Sequence, residues 1–504
     1  MEEKINIPRG SLFVILIIPF LIGSCSGSGL SLLPTAQTTV SFSSNVLPTQ
    51  TSILGSTNSI AVTPTIPITS ASTTIFQSFP DLPLYTLNSR LDYATHSLEV
   101  DETIFYPNTT GVTLPDLVMA VEPNLWKGCF VLGGLLINGQ NIGTGNLAGD
   151  RLVVPLAEPL PPGGYLTLSV QYDLNLPAAD IHHVFGYNNR QINLVDWYPF
   201  IVPYSRGWLL HPPADLGEHL TYDVADFDVT VTLADPSIPV TLAASSPAEE
   251  TSGSWHYRLQ NARTFVFSGS TAYQKVSATS NGVTITSFYF DKNESPARAI
   301  LDATIKSVNI FSELFVSYPH QSLSIVESPF FDGMEYDGLF FLSRNFYISY
   351  DGTLLNDLID IAVHETAHQW WFGLVGNDQA MEPWLDEALS TYSEELFYEN
   401  SLPQISDWWV FRVESFSPAG WVDTDIYDAI NFRMYANAVY LRGAQFLEAL
   451  RKKIGDMAFF AFLKDYASQM SWERATAEDF FRILGTHTSA IILDLVSSYF
   501  QHPN

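Results

Sequence analysis

The residues of this chain whose types and spacing could do chemistry are His364-Glu365-Thr366-Ala367-His368 and, nineteen positions beyond His368, Glu387. On a helix, positions i and i+4 share a face, so His364 and His368 can each turn an imidazole nitrogen towards one ion while Glu365 stands beside them. With Glu387 they make three protein ligands, which leaves a tetrahedral Zn²⁺ a fourth place for water. In that chemistry the ion lowers the pKa of water towards ~7; Glu365 takes the proton as water attacks a carbonyl and returns it to a leaving amine. The bland alternative is a satisfied histidine pair on a helix face, which leaves the adjacent Glu365 and the spaced Glu387 as coincidences.

The third ligand selects the zinc class. A third histidine in the pattern HExxHxxGxxH would require Gly at 371 and His at 374, and Trp371 and Leu374 stand there instead. A glutamate on a following helix is the gluzincin arrangement. The runs HETAHQW (His364–Trp370) and WLDEALSTY (Trp384–Tyr392) resemble the aminopeptidase N family of zinc metallopeptidases, peptidase family M1, which also contains the leukotriene hydrolase. Upstream, Asp332-Gly333-Met334-Glu335-Tyr336 occupies the place of that family's G-A-M-E-N motif. The resemblance implies that Glu335, with Gly333 and Met334, binds substrate, the glutamate taking the free α-amino group. Downstream, Tyr440-Leu-Arg-Gly-Ala444 matches Y-x-K-G-A, which implies that Tyr440 donates to the oxyanion. Tyr106-Pro-Asn108 and Trp197-Tyr-Pro199 are also family-like, so the likeness spans 82–504.

Each assignment has a physical logic and a plainer rival. A carboxylate that pairs with a substrate ammonium fixes the cut one residue from the N-terminus, against a solvated loop acid for Glu335. Tyr440 has the rival of a core or surface tyrosine. Glu394, two helical turns after Glu387, could accept from a metal-bound histidine or be an exposed helix glutamate. Three departures stand out: Asp332-Gly333 replaces Gly-Ala; Tyr336 replaces Asn; and no Gln or Glu around 199–203 matches the second amine-binding residue of many relatives. The chain also stops soon after the helices following Tyr440, where long relatives continue into a large helical domain, so an open cleft is expected.

The elements that must position these residues divide the chain. Ser97–Val100, Arg151–Leu156, Tyr165–Tyr172, Phe227–Leu233 and Gly282–Phe290 alternate in the manner of strands and are rich in β-branched residues. From Ser295 the period becomes helical, with helices at Pro296–Ser317, at Thr353–Phe372 carrying HExxH, and at Pro383–Tyr398 carrying Glu387. Three or four more run to the end, one starting at Thr476 with Asp479. The expected fold is α+β: an N-terminal antiparallel β domain at 81–291, then a mostly α-helical, thermolysin-like zinc peptidase domain at 292–504.

In the 504 residues, 53 acidic against 23 basic side chains give a formal charge of −30, which excludes nucleic-acid binding. Residues 1–25 read as an export signal: Lys4 and Arg9 precede an apolar run to Ile22, and Ile22-Gly23-Ser24-Cys25 resembles the bacterial lipobox. Gly10 to Pro80 contains no charged side chain, and 26–80 reads as a Ser/Thr/Pro-rich tether. This predicts an extracytoplasmic protein, held to the outer face of the cell membrane through Cys25 or otherwise secreted. Cys129 is then a buried hydrophobe.

The expected function is a zinc-dependent aminopeptidase with one Zn²⁺ per chain, acting on peptides with a free N-terminus. A zinc endopeptidase of the same fold and a surface-tethered peptide-binding protein with a degenerate site are the alternatives.

Overall fold

The computed structural model describes residues 82–503 apart from Asp215 and Ser406; the expected export signal, Cys25 and the tether lie outside the described residues. The N-terminal half is built on an eight-stranded sheet ordered Ala248–Thr251, Ser254–Ala262, Ala225–Leu233, Leu84–Asp92, Ser97–Pro107, Tyr165–Asn175, Phe130–Ile137 and Gln140–Gly143. Alternation does the work the sequence promised: along Ser97–Pro107, Leu98, Val100 and Ile104 are buried while Glu99 and Asp101 face out. Two four-stranded sheets share the same core, which also takes in Cys129. The antiparallel expectation needs one correction, because Leu84–Asp92 and Ala225–Leu233 pair in parallel.

A separate five-stranded sheet lies under the chemistry, in the order Gln274–Ser280, Val283–Tyr289, Ser322–Ser328, Leu339–Ser343 and Gly333–Tyr336. Val283–Tyr289 was expected in the N-terminal domain, but its parallel partner is Ser322–Ser328, so this hairpin belongs to the second sheet. The segment after Ser295 is also less purely helical than its sequence suggested, since three strands follow the first helix, Glu294–Leu314. Two of them, Ser322–Ser328 and Leu339–Ser343, are buried almost throughout. Along Leu339–Ser343, Leu339 and Phe341 enter the β-domain core, and Phe340 and Leu342 enter the helical core. Such a strand reads as a continuous apolar run without alternation.

The helical half follows with Asp357–Ala367 and Trp384–Ser401, then Trp408–Arg412, Phe432–Ala436, Arg442–Ile454, Asp456–Gln469, Ala477–His487 and Leu493–Tyr499. The start at Thr476 is a reciprocal capping box with Asp479. No helix among the described residues is long and apolar enough to cross a membrane.

Arg263 joins the two halves. It leaves the β domain fully surrounded, and its guanidinium donates to Tyr222 O at 3.0 Å, Phe372 O at 2.8 Å, Gly373 O at 3.1 Å and Glu473 O at 2.7 Å. Burial pushes its pKa down to about 10, partly offset by Asp337, so it stays charged near neutrality. Gly376 has to be glycine, because a Cβ there would run into this guanidinium.

Candidate metal centre and active site

The helix Asp357–Ala367 starts where the Asn356 side chain accepts from Ile359 N at 3.1 Å, with Asp357 and Asp360 in its first turn. Buried on nearly every side, it carries His364, Glu365 and, at its end, His368 into the interior. The helix Trp384–Ser401 packs beside it, tied by Tyr398 Oη to Asp360 Oδ1 at 2.5 Å. From there Trp371 Nε1 reaches Ser393 Oγ at 3.1 Å. This crossing sets Glu387 opposite the two imidazoles.

His364 Nε2 and His368 Nε2 are 3.1 Å apart, and Glu387 Oε2 lies 3.2 Å from the first and 3.4 Å from the second. A tetrahedral zinc with ligand bonds of about 2.0–2.1 Å has edges of roughly 3.3 Å, so the triangle fits that ion. The outer nitrogens fix the tautomers. His368 Nδ1 faces Trp371 O at 3.1 Å and His364 Nδ1 faces Glu394 Oε1 at 2.9 Å. Both partners only accept, so each Nδ1 carries the proton and each Nε2 offers a lone pair. Glu394 is fully buried, not an exposed helix glutamate. Burial alone would raise its carboxyl; Arg412, donating at 2.7 and 3.0 Å, outweighs burial and holds it below the usual range.

Glu365 is 4% exposed, and its Oε2 has no hydrogen-bond partner. Burial, with the charges of Glu335 and Glu387 adding to it against the pull of His368, pushes this carboxyl well above the usual range. A carboxylate so raised is a stronger base than a solvated one. Gly333 lies directly over it, and a Cβ there would collide with the Glu365 carboxylate and with Ile361. The departure at 333 therefore removes a side chain where none fits.

Glu335 lies on the edge strand Gly333–Tyr336, paired with Phe340. It is buried, with Gln379 Nε2 donating to its Oε1 at 3.2 Å, and burial raises it as well. Its ligand atoms, with those of Glu365 and His368, all lie within 4.8 Å of one another. Met334 packs half-buried against the β-domain core, and Tyr336, the replacement for Asn, enters that core. The hairpin is locked from two sides. Asp337 accepts from Arg263 N and Thr264 N at 2.9 and 3.0 Å, and Gly338 N donates to Gln369 Oε1 at 3.0 Å. Gly338 has φ +67 and touches Ser245 too closely for any Cβ.

Tyr440 Oη donates to Glu387 Oε1 at 2.6 Å, and its ring stacks on His364 at 5.9 Å. Burial and the neighbouring Glu387 keep its hydroxyl protonated and therefore a donor. It gets there because Gly443 lets the helix Arg442–Ile454 press onto Ala388, where a Cβ would collide. The site residues expected from sequence, Met334 apart, thus converge on one place.

Sequence reasoning missed Glu218. Burial and then the charges of Glu335, Glu387 and Asp386 push its carboxyl well above the usual range. The loop bearing it presses on the helical half. At Gly217, φ +63, a Cβ would lie 2.6 Å from Ile426 Cγ2 and 2.9 Å from Tyr435 Oη. Its only local signal in the sequence is a Gly-Glu-His run inside an irregular segment.

Residues 299–499 match the model of the Peptidase family M1 domain. Aminopeptidase M1-D of Oryza sativa subsp. japonica is 26% identical over 217 residues, 40% of this chain and 25% of that protein. Aminopeptidase N of Lactobacillus helveticus is 27% identical over 251 residues, 45% of this chain and 29% of that protein. The chain thus spans between a quarter and a third of the length of these curated relatives. In fold it is similar to the M1 zinc metallopeptidase from Deinococcus radiodurans, with TM-score 0.63 and 18% identity, over 84% of this chain and 94% of that one. A mutant of that protein bound to Tyr-ser-ala substrate superposes with TM-score 0.60 at 19% identity, over 84% and 94% of the two chains.

Proposed function

We propose that this protein is a zinc-dependent aminopeptidase that hydrolyses the N-terminal peptide bond of peptides. The observation that carries the reading is the order of groups around the His364, His368 and Glu387 triangle. Ligand atoms of Glu335, Glu365 and His368 lie within 4.8 Å of one another, and the Tyr440 hydroxyl rests on Glu387, the third corner. Zinc held by that triangle supplies Lewis acidity and lowers the pKa of water towards ~7.

The chain's own residues supply the rest. Glu335, anchored by Gln379, and Glu218 pair with the substrate ammonium and so place the first peptide bond beside Glu365. Glu365 accepts the proton of the attacking water at its unpartnered Oε2 and passes it to the departing amine. As the water attacks, Tyr440 Oη shifts its hydrogen bond from Glu387 to the oxygen that becomes negative. The residue before the cut is fixed by charge, which makes the reaction exopeptidic.

The test compares a short peptide having a free N-terminus with its acetylated twin, using wild-type protein and Glu365→Gln. Cleavage only of the free peptide, lowered on the order of 10³-fold by the substitution with zinc retained, is expected. Equal cleavage of both peptides would establish an endopeptidase instead, and undiminished activity of Glu365→Gln would remove the general-base assignment. We also place the protein outside the cytoplasm, on the strength of its first 25 residues. Mass spectrometry of the mature N-terminus tests this: acylated Cys25 supports the anchor, and an intact Met1 refutes export processing.

A further inference from the structure

A second group of ligand-type side chains stands in the β domain. Glu122 opens the short turn Glu122–Leu125; Asp150 sits in the turn between the strands Asn146–Ala148 and Arg151–Leu160; His219 follows Glu218 in the loop that reaches the helical half. The two turns are tied by Val121 N donating to Asp150 O at 2.7 Å. One atom from each of Glu122, Asp150 and His219 lies within 4.8 Å of the other two. His219 Nε2 is 3.3 Å from Glu122 Oε2, close to one edge of a tetrahedral zinc site.

What sets this cluster apart from ordinary surface acids is its burial without satisfaction. Asp150 is 8% exposed, and the His219 and Glu122 side chains are 12% and 15% exposed. Glu122 Oε2, Asp150 Oδ2 and His219 Nε2 are all shut off from solvent, and none has a hydrogen-bond partner. Buried polar atoms are nearly always paired; here Asp150 Oδ2 has no partner and Glu122 Oε2 and His219 Nε2 have only each other, so three segments converge on room for a shared partner. Two carboxylates could be satisfied by many cations, but an imidazole nitrogen among them selects a borderline metal of the zinc type over calcium or magnesium.

We propose that Glu122, Asp150 and His219 form a second, structural site for a zinc-type divalent ion, which pins the 217–219 loop to the β domain. The site stands apart from the catalytic triangle, shares no residue with it, and does not depend on the reaction assigned above. Its occupant makes no contact with substrate. It fastens the segment whose tip, Gly217 and Glu218, meets Ile426 and Tyr435 across the domain boundary.

The experiment counts zinc per chain by mass spectrometry of elements after stripping with chelator, equilibration with Zn²⁺ and gel filtration. Wild-type protein is expected to hold two ions and His364→Ala/His368→Ala one. Adding Asp150→Asn and His219→Gln to that variant is expected to leave none. Zinc should also raise the Tm of His364→Ala/His368→Ala by several degrees, and this shift should vanish in the combined variant. Glu122→Gln in the same background serves as a second probe, since it keeps side-chain size and is expected to lose the ion while its chelator-treated Tm matches its parent. A wild-type protein with one zinc and a His364→Ala/His368→Ala variant with none would overturn the second site. One zinc in wild type that survives His364→Ala/His368→Ala but not Asp150→Asn would instead uphold it and refute the catalytic metal.

Discussion

The two clusters of metal-ligand type differ in what stands behind them. Around His364, His368 and Glu387 the outward atoms are committed: Glu394 and Trp371 O hold the imidazoles, Arg412 holds Glu394, and Tyr440 rests on Glu387. Around Glu122, Asp150 and His219 the facing atoms make no hydrogen bond, and their one close contact is that of Glu122 with His219 at 3.3 Å. The first cluster is shaped before an ion arrives, as catalysis demands, because displaced ligands cost rate. The second takes its shape from whatever fills it. Preorganisation therefore lies in the outer layer of partners, not in the ligand types, which are nearly the same in both.

The contrast can be broken at graded cost. Tyr440→Phe removes the hydroxyl that donates to Glu387 and should lower kcat by on the order of 10²–10³ with KM little changed. A loss confined to KM would move Tyr440 from oxyanion donor to binding surface. Glu394→Gln takes the charge from behind His364 and should weaken zinc affinity by about 10–100-fold, read by chelator competition. Unchanged affinity would mean the backing partner is ornamental and the contrast empty. Glu218→Gln should raise KM for free-amine peptides by roughly tenfold, the size of one partly screened ion pair, without altering zinc content. An equal effect on acetylated peptides would sink its amine-binding role.

The smallest effect sharpens the comparison through pH. Burial, opposed by the Tyr222 hydroxyl at 2.6 Å, pushes the Asp196 carboxyl up to about 7, and the charges of Glu122, His219 and Glu335 all act on it. Its unfolded value is about 3.9, so the folded state binds the proton more tightly. The stability this group contributes is full below about pH 4, is lost as pH rises towards 7, and changes little above. Asp196→Asn should flatten that part of the Tm-against-pH curve; parallel curves for the two proteins would show that Asp196 does not titrate there.

Much of the site was legible because it is local. His364, Glu365 and His368 are spaced by one helix turn, and the Thr476 capping box and the alternating strand Ser97–Pro107 are also written in neighbouring residues. What stayed hidden was set at a distance. Leu339–Ser343 shows no alternation because both its faces are buried, and the hairpin 274–289 could not reveal that its partner lies at Ser322–Ser328. Glu218 acts where the fold brings its loop across to Tyr435, and nothing beside it in the chain carries that information. Glu394 was placed at the right spacing, but its choice between solvent and His364 was made by Arg412 arriving from another helix.

Arg263 has a further consequence. Three of the carbonyls it satisfies, on Phe372, Gly373 and Glu473, belong to the helical half, yet the arginine is delivered by the other. A helical half cut free at the domain boundary would leave those acceptors without their donor, at a cost of about 1–3 kcal/mol for each that water cannot reach. The turn immediately after His368 is among them. The β domain is thus an internal chaperone that never leaves: evolution could exchange its outer loops, but not detach it and keep the metal centre intact.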